Sequence, residues 1–335
     1  MAIDLGIDLG TSTTLIYVKD EGIVLNEPSL VIRNNSDNRI VAIGEEASDM
    51  MGRTPEGVSA VAPIRNGAIT WFSAASEMLR HFVKKVAKSS FFGIRAVISI
   101  PCGISEVERR AVMEAANNAG IRDVVLMEAP LAAAGGCGVD IAAPHGSMVV
   151  DIGAGICEAA VVSLGGIVVS NTSRTAGSSF DNAIVQYMKK ENSVVIGDST
   201  AENIKISIGS VYTGLENEII EVKGRDMVSG LPKTAKLSSD EVRKCLSEYA
   251  DAIVDMVKVT LENTPPELAA DIMESGIVLT GGGAMLRGLG RVININTEIP
   301  VYIAENPLEC VASGTGKALD FAMESKKLGL FGGKF

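Results

Sequence analysis

Asp8-Leu9-Gly10-Thr11-Ser12-Thr13 has a counterpart of the same design farther along the chain, Asp151-Ile152-Gly153-Ala154-Gly155-Ile156. Each segment follows an apolar run that predicts a strand, ends that strand in an acid, turns on glycine and re-enters a strand. We therefore expect two hairpins whose tips present backbone N–H groups beside a carboxylate. Such N–H groups attract phosphate, and Asp8 and Asp151 are suited to hold Mg²⁺ through its water ligands. Two tips that face each other would clamp the phosphate tail of a nucleotide.

A third glycine-rich segment strengthens this interpretation. Gly281-Gly282-Gly283 follows the predicted strand Ile277–Thr280, and we expect a helix to start there. Glycines at a strand-to-helix junction let a ligand approach the backbone at a helix N-terminus, which is a natural anion site. Because the two hairpins lie about half the chain length apart, the sequence predicts two like halves, each an α/β layer that begins with a hairpin.

Composition narrows the class of protein. A chain of 335 residues with 47% hydrophobic and 21% charged residues is typical of a globular protein of about two domains. The net charge of −11 argues against nucleic acid as a partner. Five scattered cysteines without a CxxC pair predict free thiols in a reducing cytoplasm, and two histidines make zinc or Ser-His chemistry improbable. We expect neither a signal peptide nor a transmembrane helix, since no long uninterrupted apolar stretch occurs.

Local patterns predict several helices and exclude one motif. Apolar periodicity and capping residues indicate helices at Ser73–Ala87, at Phe180–Lys190, at Asp240–Asn263, and from Ser105, with Glu108 completing a capping box, to Ala119. Gly314-Thr315-Gly316-Lys317 is similar to a P-loop. However, Ala318 stands where that motif needs Ser or Thr, and Val311 stands where it needs its first glycine, so we exclude a P-loop.

Two DxG hairpins and the third glycine loop, in this order, resemble the nucleotide cleft of the actin, Hsp70 and sugar-kinase superfamily. Within it, runs that span nearly the whole chain resemble the MreB family, the bacterial actins of rod-shaped cells. These runs are Gly22–Ser29, Gly52–Pro55, Val107–Val112, Met148–Gly153, Gly230–Lys233, Thr264–Ala270, Ile277–Gly283 and Gly314–Leu319. The resemblance implies an α/β, actin-like two-domain fold with ribonuclease H-like halves and two inserted subdomains.

The resemblance also implies a division into four subdomains. These are IA (1–32, 67–143 and 316–335), IB (33–66), IIA (144–181 and 246–315) and IIB (182–245). It implies ATP and Mg²⁺ as ligands, with Asp8 and Asp151 facing the metal through water. The residues it places on the nucleotide are Thr11, Ser12, Thr13, Ala154, Gly155, Ile156, Glu202, Asn203, Ile204, Lys205, Gly282, Gly283, Ala284 and Met285.

The departures from the family pattern lie where ATP hydrolysis would occur. MreB proteins generally have Ile-Gly-Gly-Gly-Thr-Thr-Glu in the second loop, whereas Ile156 here replaces the first threonine. The family has two adjacent acids before the proline that Pro130 matches. Here Glu128 keeps the first acid, and Ala129 replaces the second. The missing groups are thought to orient the attacking water, and losing such an acid costs about 10²–10⁴-fold in rate. We therefore predict that ATP binding survives but is weakened, and that hydrolysis is slow or lost, and we assign no catalytic residue.

A further segment bears on location. Phe91-Phe92 is flanked by Ser89, Ser90 and Gly93, which indicates a loop tip, and Lys84, Lys85, Lys88 and Arg95 surround it. An arbitrary Phe pair is more often folded into the core. The MreB resemblance instead implies a hydrophobic loop that enters the bilayer, and thus a cytoplasmic protein held on the inner face of the cell membrane. Trp71 occupies a position where relatives often have an acid, and the sequence assigns it no role.

By resemblance, the chain polymerises into paired filaments that organise cell-wall synthesis and cell shape together with membrane proteins of the shape complex. Two alternatives remain open at this point. One is a filament that positions a plasmid or an organelle. The other is a small-molecule kinase of the same superfamily, which would need a substrate acid in the cleft.

Overall fold

The structure is a computed structural model that describes residues 3–87 and 93–322. Its strands are β1 (Ile3–Leu9), β2 (Thr13–Val18), β3 (Gly22–Pro28), β4 (Val31–Asn34), β5 (Ile40–Ile43), β6 (Val58–Val61), β7 (Ile64–Arg65), β8 (Ala68–Ile69), β9 (Ile94–Ile100), β10 (Ile121–Glu128), β11 (Ser147–Ile152), β12 (Cys157–Ser163), β13 (Gly166–Ser173), β14 (Val194–Val195), β15 (Ile219–Asp226), β16 (Pro232–Ser238), β17 (Ile277–Thr280) and β18 (Val301–Ile303).

The helices are α1 (Glu45–Met50), α2 (Phe72–Val86), α3 (Glu106–Asn118), α4 (Ala129–Gly136), α5 (Gly177–Glu191), α6 (Asp198–Ile208), α7 (Ser239–Glu262), α8 (Pro266–Ser275), α9 (Leu289–Thr297) and α10 (Cys310–Lys317). A short 3-10 helix covers Gly282–Met285. Within residues 3–87 and 93–322, no helix is both long and apolar enough to cross a membrane.

The chain divides into two compact units. The first comprises Met1–Pro144, Val162–Ile167 and Leu308–Phe335, and the second comprises His145–Val161 and Val168–Pro307. The prediction of two like halves is supported by the sheets, because the strand order β10-β9-β1-β2-β3 has the same plan as β18-β17-β11-β12-β13. The finer division into four subdomains stays a prediction.

The first unit is built around β1. This strand pairs in parallel with β9 and antiparallel with β2, so both of its edges are occupied. Leu5 and Ile7 are fully buried and belong to the core that α2 covers with Met78, Leu79 and Phe82. Two smaller sheets complete the unit, β5-β4-β6 and the β7–β8 hairpin. Because β1 is central and β9 runs parallel beside it, the carboxyl ends of both strands lie together at one edge of the sheet.

The second unit repeats this arrangement around β11. This strand pairs in parallel with β17, which in turn pairs in parallel with β18. Met148 and Val150 of β11 are fully buried in a core that also includes Phe180 of α5 and residues of α7. A separate sheet, β14-β15-β16, contributes Val222 and Leu237 to the same core.

Helices α4 and α10 of the first unit pack along a glycine seam. A Cβ atom on Gly314 would lie 1.7 Å from the carbonyl oxygen of Ala132, and one on Gly136 would lie 1.8 Å from that of Cys310. The Lys317 ammonium donates to the carbonyl oxygens of Gly135 and Gly136 at the C-terminus of α4. The segment that resembles a P-loop is thus the end of a packed helix rather than a loop. This confirms the interpretation, made from the sequence, that the segment is not a P-loop.

The predicted helices are present within a few residues of their expected ends. Ser105 caps α3: its hydroxyl accepts from the Glu108 N–H, and the Glu108 carboxylate accepts from the Ser105 N–H at 2.8 Å. An analogous box formed by Ser238 and Glu241 starts α7. This second box, which the sequence analysis did not identify, moves the start of that helix to Ser239.

Candidate functional site

The first acid lies at the carboxyl end of β1. The hydroxyl of Ser99, on the parallel neighbour β9, donates to Asp8 Oδ1 at 2.9 Å. The same hydroxyl accepts from the Leu9 N–H at 3.4 Å. Ser99 therefore fixes one carboxylate oxygen of Asp8 and the first peptide of the turn that follows it.

The turn after Asp8 is tight. A Cβ atom on Gly10 would lie 2.5 Å from the carbonyl oxygen of Thr13, so only glycine fits there. The hydroxyl of Thr11 accepts from the Gly67 N–H at 3.1 Å and ties the turn to the β7–β8 hairpin. Ser12 is exposed. These residues form a short turn beside a carboxylate, as the sequence predicts.

The second acid occupies the equivalent position of the second unit. Asp151 of β11 lies opposite Thr280 of β17 in the parallel register, and the Thr280 hydroxyl donates to Asp151 Oδ1 at 2.9 Å. Asp151 is partly buried, and this desolvation raises the pKa of its carboxyl to about 6, against which the Thr280 hydrogen bond acts. Each unit therefore holds one acid at a strand end by one hydroxyl group from the neighbouring parallel strand.

The loop between β11 and β12, residues 153–156, is supported by the start of α5. The Gly177 N–H donates to the Gly153 carbonyl at 3.0 Å, and the Ser178 N–H donates to the Ala154 carbonyl at 2.8 Å. The Gly153 N–H donates to the carbonyl of Ile156 across the turn at 2.9 Å. The predicted second phosphate loop is thus a closed turn whose first two carbonyls accept hydrogen bonds from α5. We call residues 153–156 the phosphate loop, after the role that the sequence predicts for them.

The third loop refines one expectation. Thr280 is followed by the four-residue 3-10 helix Gly282–Met285, and the next α-helix begins only at Leu289. The predicted helix start at these glycines is therefore present, but as a single 3-10 turn rather than an α-helix. The turn starts at Gly281 with φ of 77°, a left-handed conformation that glycine adopts most easily, and a turn of this length carries little helix dipole.

The glycines of the third loop have a packing role instead. A Cβ atom on Gly283 would lie 2.2 Å from the side chain of Ile152, and one on Gly281 would lie 2.5 Å from the Ile152 carbonyl and 2.9 Å from Asp151 Oδ1. These glycines let the third loop contact the end of β11 directly. Of the remaining predicted residues here, Ala284 is buried and Met285 is 58% exposed.

The predicted nucleoside residues lie on α6. Glu202 and Asn203 are exposed, whereas the side chain of Ile204 is buried in the core of the second unit. The Lys205 side chain is engaged in contacts with α5. Its ammonium lies 2.8 Å from Asp181 Oδ1 and donates to the Gly177 carbonyl at 3.2 Å. Burial raises the pKa of Asp181, and the Lys205 ammonium opposes that shift.

The retained acid Glu128 and the residues near it and near Ile156 have ordinary surroundings. Glu128 ends β10 and lies 3.8 Å from the Arg109 guanidinium, while Ala129 beside it is buried at the start of α4. Cys157 follows Ile156 and is fully buried. Burial, and to a lesser extent the nearby Asp151, raises the pKa of its thiol well above the ordinary value, which disfavours the thiolate form needed for nucleophilic chemistry.

The predicted membrane loop, Phe91 and Phe92, lies outside the described residues. Two of the cations expected to surround it are engaged elsewhere. Lys85 pairs with the buried Glu27, and Arg95 donates to Asp4 at 2.6 Å. The positive charge that the sequence analysis assigned to this region is therefore partly neutralised.

Trp71 packs against a cation. The guanidinium carbon of Arg33 lies 4.8 Å from the centre of its ring. Trp71 also precedes α2 as its N-cap residue without forming a side-chain cap. It links strand β4, which carries Arg33, to the start of α2.

Sequence reasoning missed three groups of this site: Ser99, Thr280 as a donor, and the Asp181–Lys205 pair. A signal existed for the first two, because a hydroxyl residue stands near the end of a strand in both Val97–Ile100 and Ile277–Thr280. No sequence signal joins positions 181 and 205, since the contact arises from the packing of α5 against α6.

Comparison with known proteins agrees with this geometry. The family model described as MreB/Mbl protein matches residues 2–327. The cell shape-determining protein MreB of Escherichia coli (strain K12) is 49% identical over 323 residues, which cover 95% of this chain and 93% of that protein. The cell shape-determining protein Mbl of Bacillus subtilis (strain 168) is 47% identical over 320 residues, covering 95% of this chain and 96% of that protein.

Solved structures give the same result. The crystal structure of MreB 5 of Spiroplasma citri bound to AMPPNP superimposes with a TM-score of 0.93 at 37% identity, covering 98% of this chain and 99% of that one. The MamK double helical filament matches with a TM-score of 0.82 at 21% identity, a likeness of fold. The predicted actin-like fold and the resemblance stated above are confirmed.

Proposed function

Because the chain belongs to the MreB/Mbl family, we propose that it is an ATP-binding actin homologue that polymerises into filaments and organises cell-wall synthesis and rod cell shape. The two curated relatives described above are both cell shape-determining proteins, at 49% and 47% identity over nearly the whole chain. That likeness favours this role over a filament that positions a plasmid or an organelle. The same likeness favours the cell-shape role over a small-molecule kinase. A kinase would be revealed by ATP consumption that depends on glucose or acetate.

The observation that carries the proposal is the repeated acid. Asp8 and Asp151 each end a central strand, each accepts a hydrogen bond from a hydroxyl on the parallel neighbour, and each precedes a glycine turn. Peptide N–H groups in such turns suit phosphate oxygens. Thr11–Thr13 and the phosphate loop would supply these N–H groups. A relative 37% identical to this chain binds AMPPNP in its crystal structure.

Each of the two acids has the side-chain chemistry that a magnesium ion prefers. Mg²⁺ keeps several of its waters and is bound through one or two carboxylates together with substrate phosphates. Asp8 and Asp151 supply carboxylate oxygens whose orientation is fixed by Ser99 and Thr280. The ion would neutralise phosphate charge, and the protein would hold the ion through its waters.

Hydrolysis is slow in this proposal. Ala129 offers no oxygen to orient a water, and Glu128 beside it lies near Arg109. Ile156 lacks the hydroxyl of the family threonine, a charge-assisted hydrogen bond worth about 1.5–3 kcal/mol. Phosphoryl transfer depends on positioning and charge stabilisation, so these losses affect the rate more than binding.

The test is a gain-of-function variant. We expect Ala129→Glu with Ile156→Thr to raise the rate of phosphate release about 10²-fold or more, with ATP affinity changed little. Ala142→Glu, which adds the same charge at an exposed position, serves as the control. Equal rates in wild type and the double variant would contradict the assignment of slow hydrolysis to these two residues, and a wild-type rate typical of the family would contradict slow hydrolysis itself. Absence of ATP binding by calorimetry at millimolar Mg²⁺ would contradict the nucleotide proposal itself.

Membrane attachment is the second part of the proposal. We infer that Phe91 and Phe92 enter the bilayer, each ring contributing about 1.5–3 kcal/mol, and that a filament multiplies these contacts. Because Lys85 and Arg95 are ion-paired, attachment should depend weakly on salt. Phe91→Ser with Phe92→Ser should release filaments from liposomes in a flotation assay while polymerisation, seen by electron microscopy with ATP, persists. Unchanged flotation would count against the loop.

A further inference from the structure

Lys205 joins two parts of the second unit that the sequence analysis treated separately. It lies on α6, which carries Glu202 and Asn203. Its ammonium contacts α5 twice, at the carbonyl oxygen of Gly177 (3.2 Å) and at the carboxylate of Asp181 (2.8 Å). Both side chains of the pair are largely buried, with 16% and 17% exposed. Water therefore competes less for this contact than for a surface ion pair.

The contacted end of α5 is the same end that supports the phosphate loop. The N–H of Gly177 donates to Gly153 and that of Ser178 donates to Ala154, at 3.0 and 2.8 Å. Gly177 thus receives Lys205 at its carbonyl and donates to the phosphate loop at its N–H. One unbroken series of polar contacts leads from α6 through the first turn of α5 to the phosphate loop.

We propose that Asp181 and Lys205 are positioning residues that couple the nucleoside-side helix α6 to the conformation of the phosphate loop. Asp181 holds the ammonium, the ammonium holds the first peptide of α5, and that peptide holds the phosphate loop. This inference rests on the proposed nucleotide binding and assigns Lys205 a role that reaches the phosphates without touching them. An ammonium has three N–H donors, and Gly177 and Asp181 occupy at least two of them.

A ligand without a nucleoside separates this role from direct contact with ribose. We measure binding of Mg²⁺-tripolyphosphate and Mg²⁺-ATP by calorimetry to wild type, Lys205→Met and Asp181→Asn. Positioning predicts that both variants bind tripolyphosphate about five- to twentyfold more weakly, and that the double variant loses no more than either single one. If Lys205 contacted only ribose, tripolyphosphate affinity would not change in any variant.

The sign of the Asp181→Asn effect is decisive. This change removes a negative charge and leaves the Lys205 ammonium in place, so electrostatics alone would tighten the binding of a polyanion. Positioning predicts weaker binding. Asp198→Asn on the exposed first turn of α6 and Lys190→Met at the exposed end of α5 carry the same charge changes without the contact, and we expect about twofold or less from them.

Hydrogen exchange tests the same coupling in the absence of any ligand. In Asp181→Asn, the Gly177 and Ser178 amides should exchange at least about tenfold faster, while core amides of β11 keep their wild-type rates and show that the variant is folded. If wild type binds neither ATP nor tripolyphosphate, the proposed function fails and exchange still decides the positioning role. Unchanged exchange at both amides, or tripolyphosphate affinity equal to or above wild type in Asp181→Asn, overturns the inference.

Discussion

Replacing Asp151 by Asn should stabilise the ligand-free protein while impairing its proposed function. Desolvation raises the pKa of Asp151 from the ordinary 3.8 to about 6. Between these two pH values the folded protein holds a proton that the unfolded chain has released. The free energy of unfolding therefore falls as the pH rises from about 4 to about 6, and it stays lower above that range. Asn carries no charge, and its side-chain oxygen can still accept from Thr280.

The magnitude follows from the shift. The pKa of Asp151 is about two units higher in the folded protein, and each unit corresponds to about 1.4 kcal/mol. Ionised Asp151 therefore lowers the free energy of unfolding by about 3 kcal/mol at neutral pH. In Asp151→Asn this loss is absent. The variant should therefore be about 3 kcal/mol more stable than wild type at pH 7 and nearly equal to it at pH 4.

Urea unfolding in EDTA at pH 4, 5, 6 and 7 measures this difference directly. Subtracting the two free energies at each pH cancels the other titrating groups. Asp255→Asn, at an exposed position of α7, is the matched control and should give a difference close to zero throughout. A difference between Asp151→Asn and wild type that does not grow with pH, or a variant less stable than wild type at pH 7, would falsify the reasoning. In calorimetry, the same variant should lose Mg²⁺-dependent ATP affinity, since its amide is a poorer partner for the ion.

Two further predictions concern the first unit. Gly314→Ala should destabilise the protein by about 1–3 kcal/mol or more in thermal unfolding, because the new Cβ would lie 1.7 Å from the Ala132 carbonyl oxygen. The control Gly135→Ala, whose Cβ would have its nearest neighbour 3.9 Å away, should be neutral or stabilising. Equal effects of the two variants would contradict the close packing of the helices. Arg33→Ala should shift the fluorescence emission of Trp71, the single tryptophan of the chain, and lower the free energy of unfolding by about 0.5–1 kcal/mol. An unchanged emission spectrum would argue against the stacked contact.

The sequence predicted what depends on short-range pattern. The capping box of Ser105 and Glu108 could be identified because both partners lie within one helical turn. The two acid-and-glycine turns could be identified because each motif contains its own strand ends. The resemblance to a family then supplied the fold, which no local pattern could give.

The rest depends on contacts between distant segments. Gly281 and Gly283 suggested a helix start, but their actual constraint is the approach of Ile152, about 130 positions away. Lys205 was assigned to the nucleoside, and its contact with Asp181 depends on how α5 and α6 pack. Trp71 had no assigned role because its partner, Arg33, lies on β4 in a distant part of the sequence.

The two hydroxyl groups that hold the acids differ in rotational freedom. Thr280 is β-branched and fully buried, so its χ1 angle has few alternatives, while Ser99 lacks the methyl group that would restrict it. Asp151 is consequently oriented by a stiff neighbour and Asp8 by a more adaptable one. When a ligand's charge arrives or departs, the carboxylate of the N-terminal half should reorient first, and the other should serve as the fixed reference.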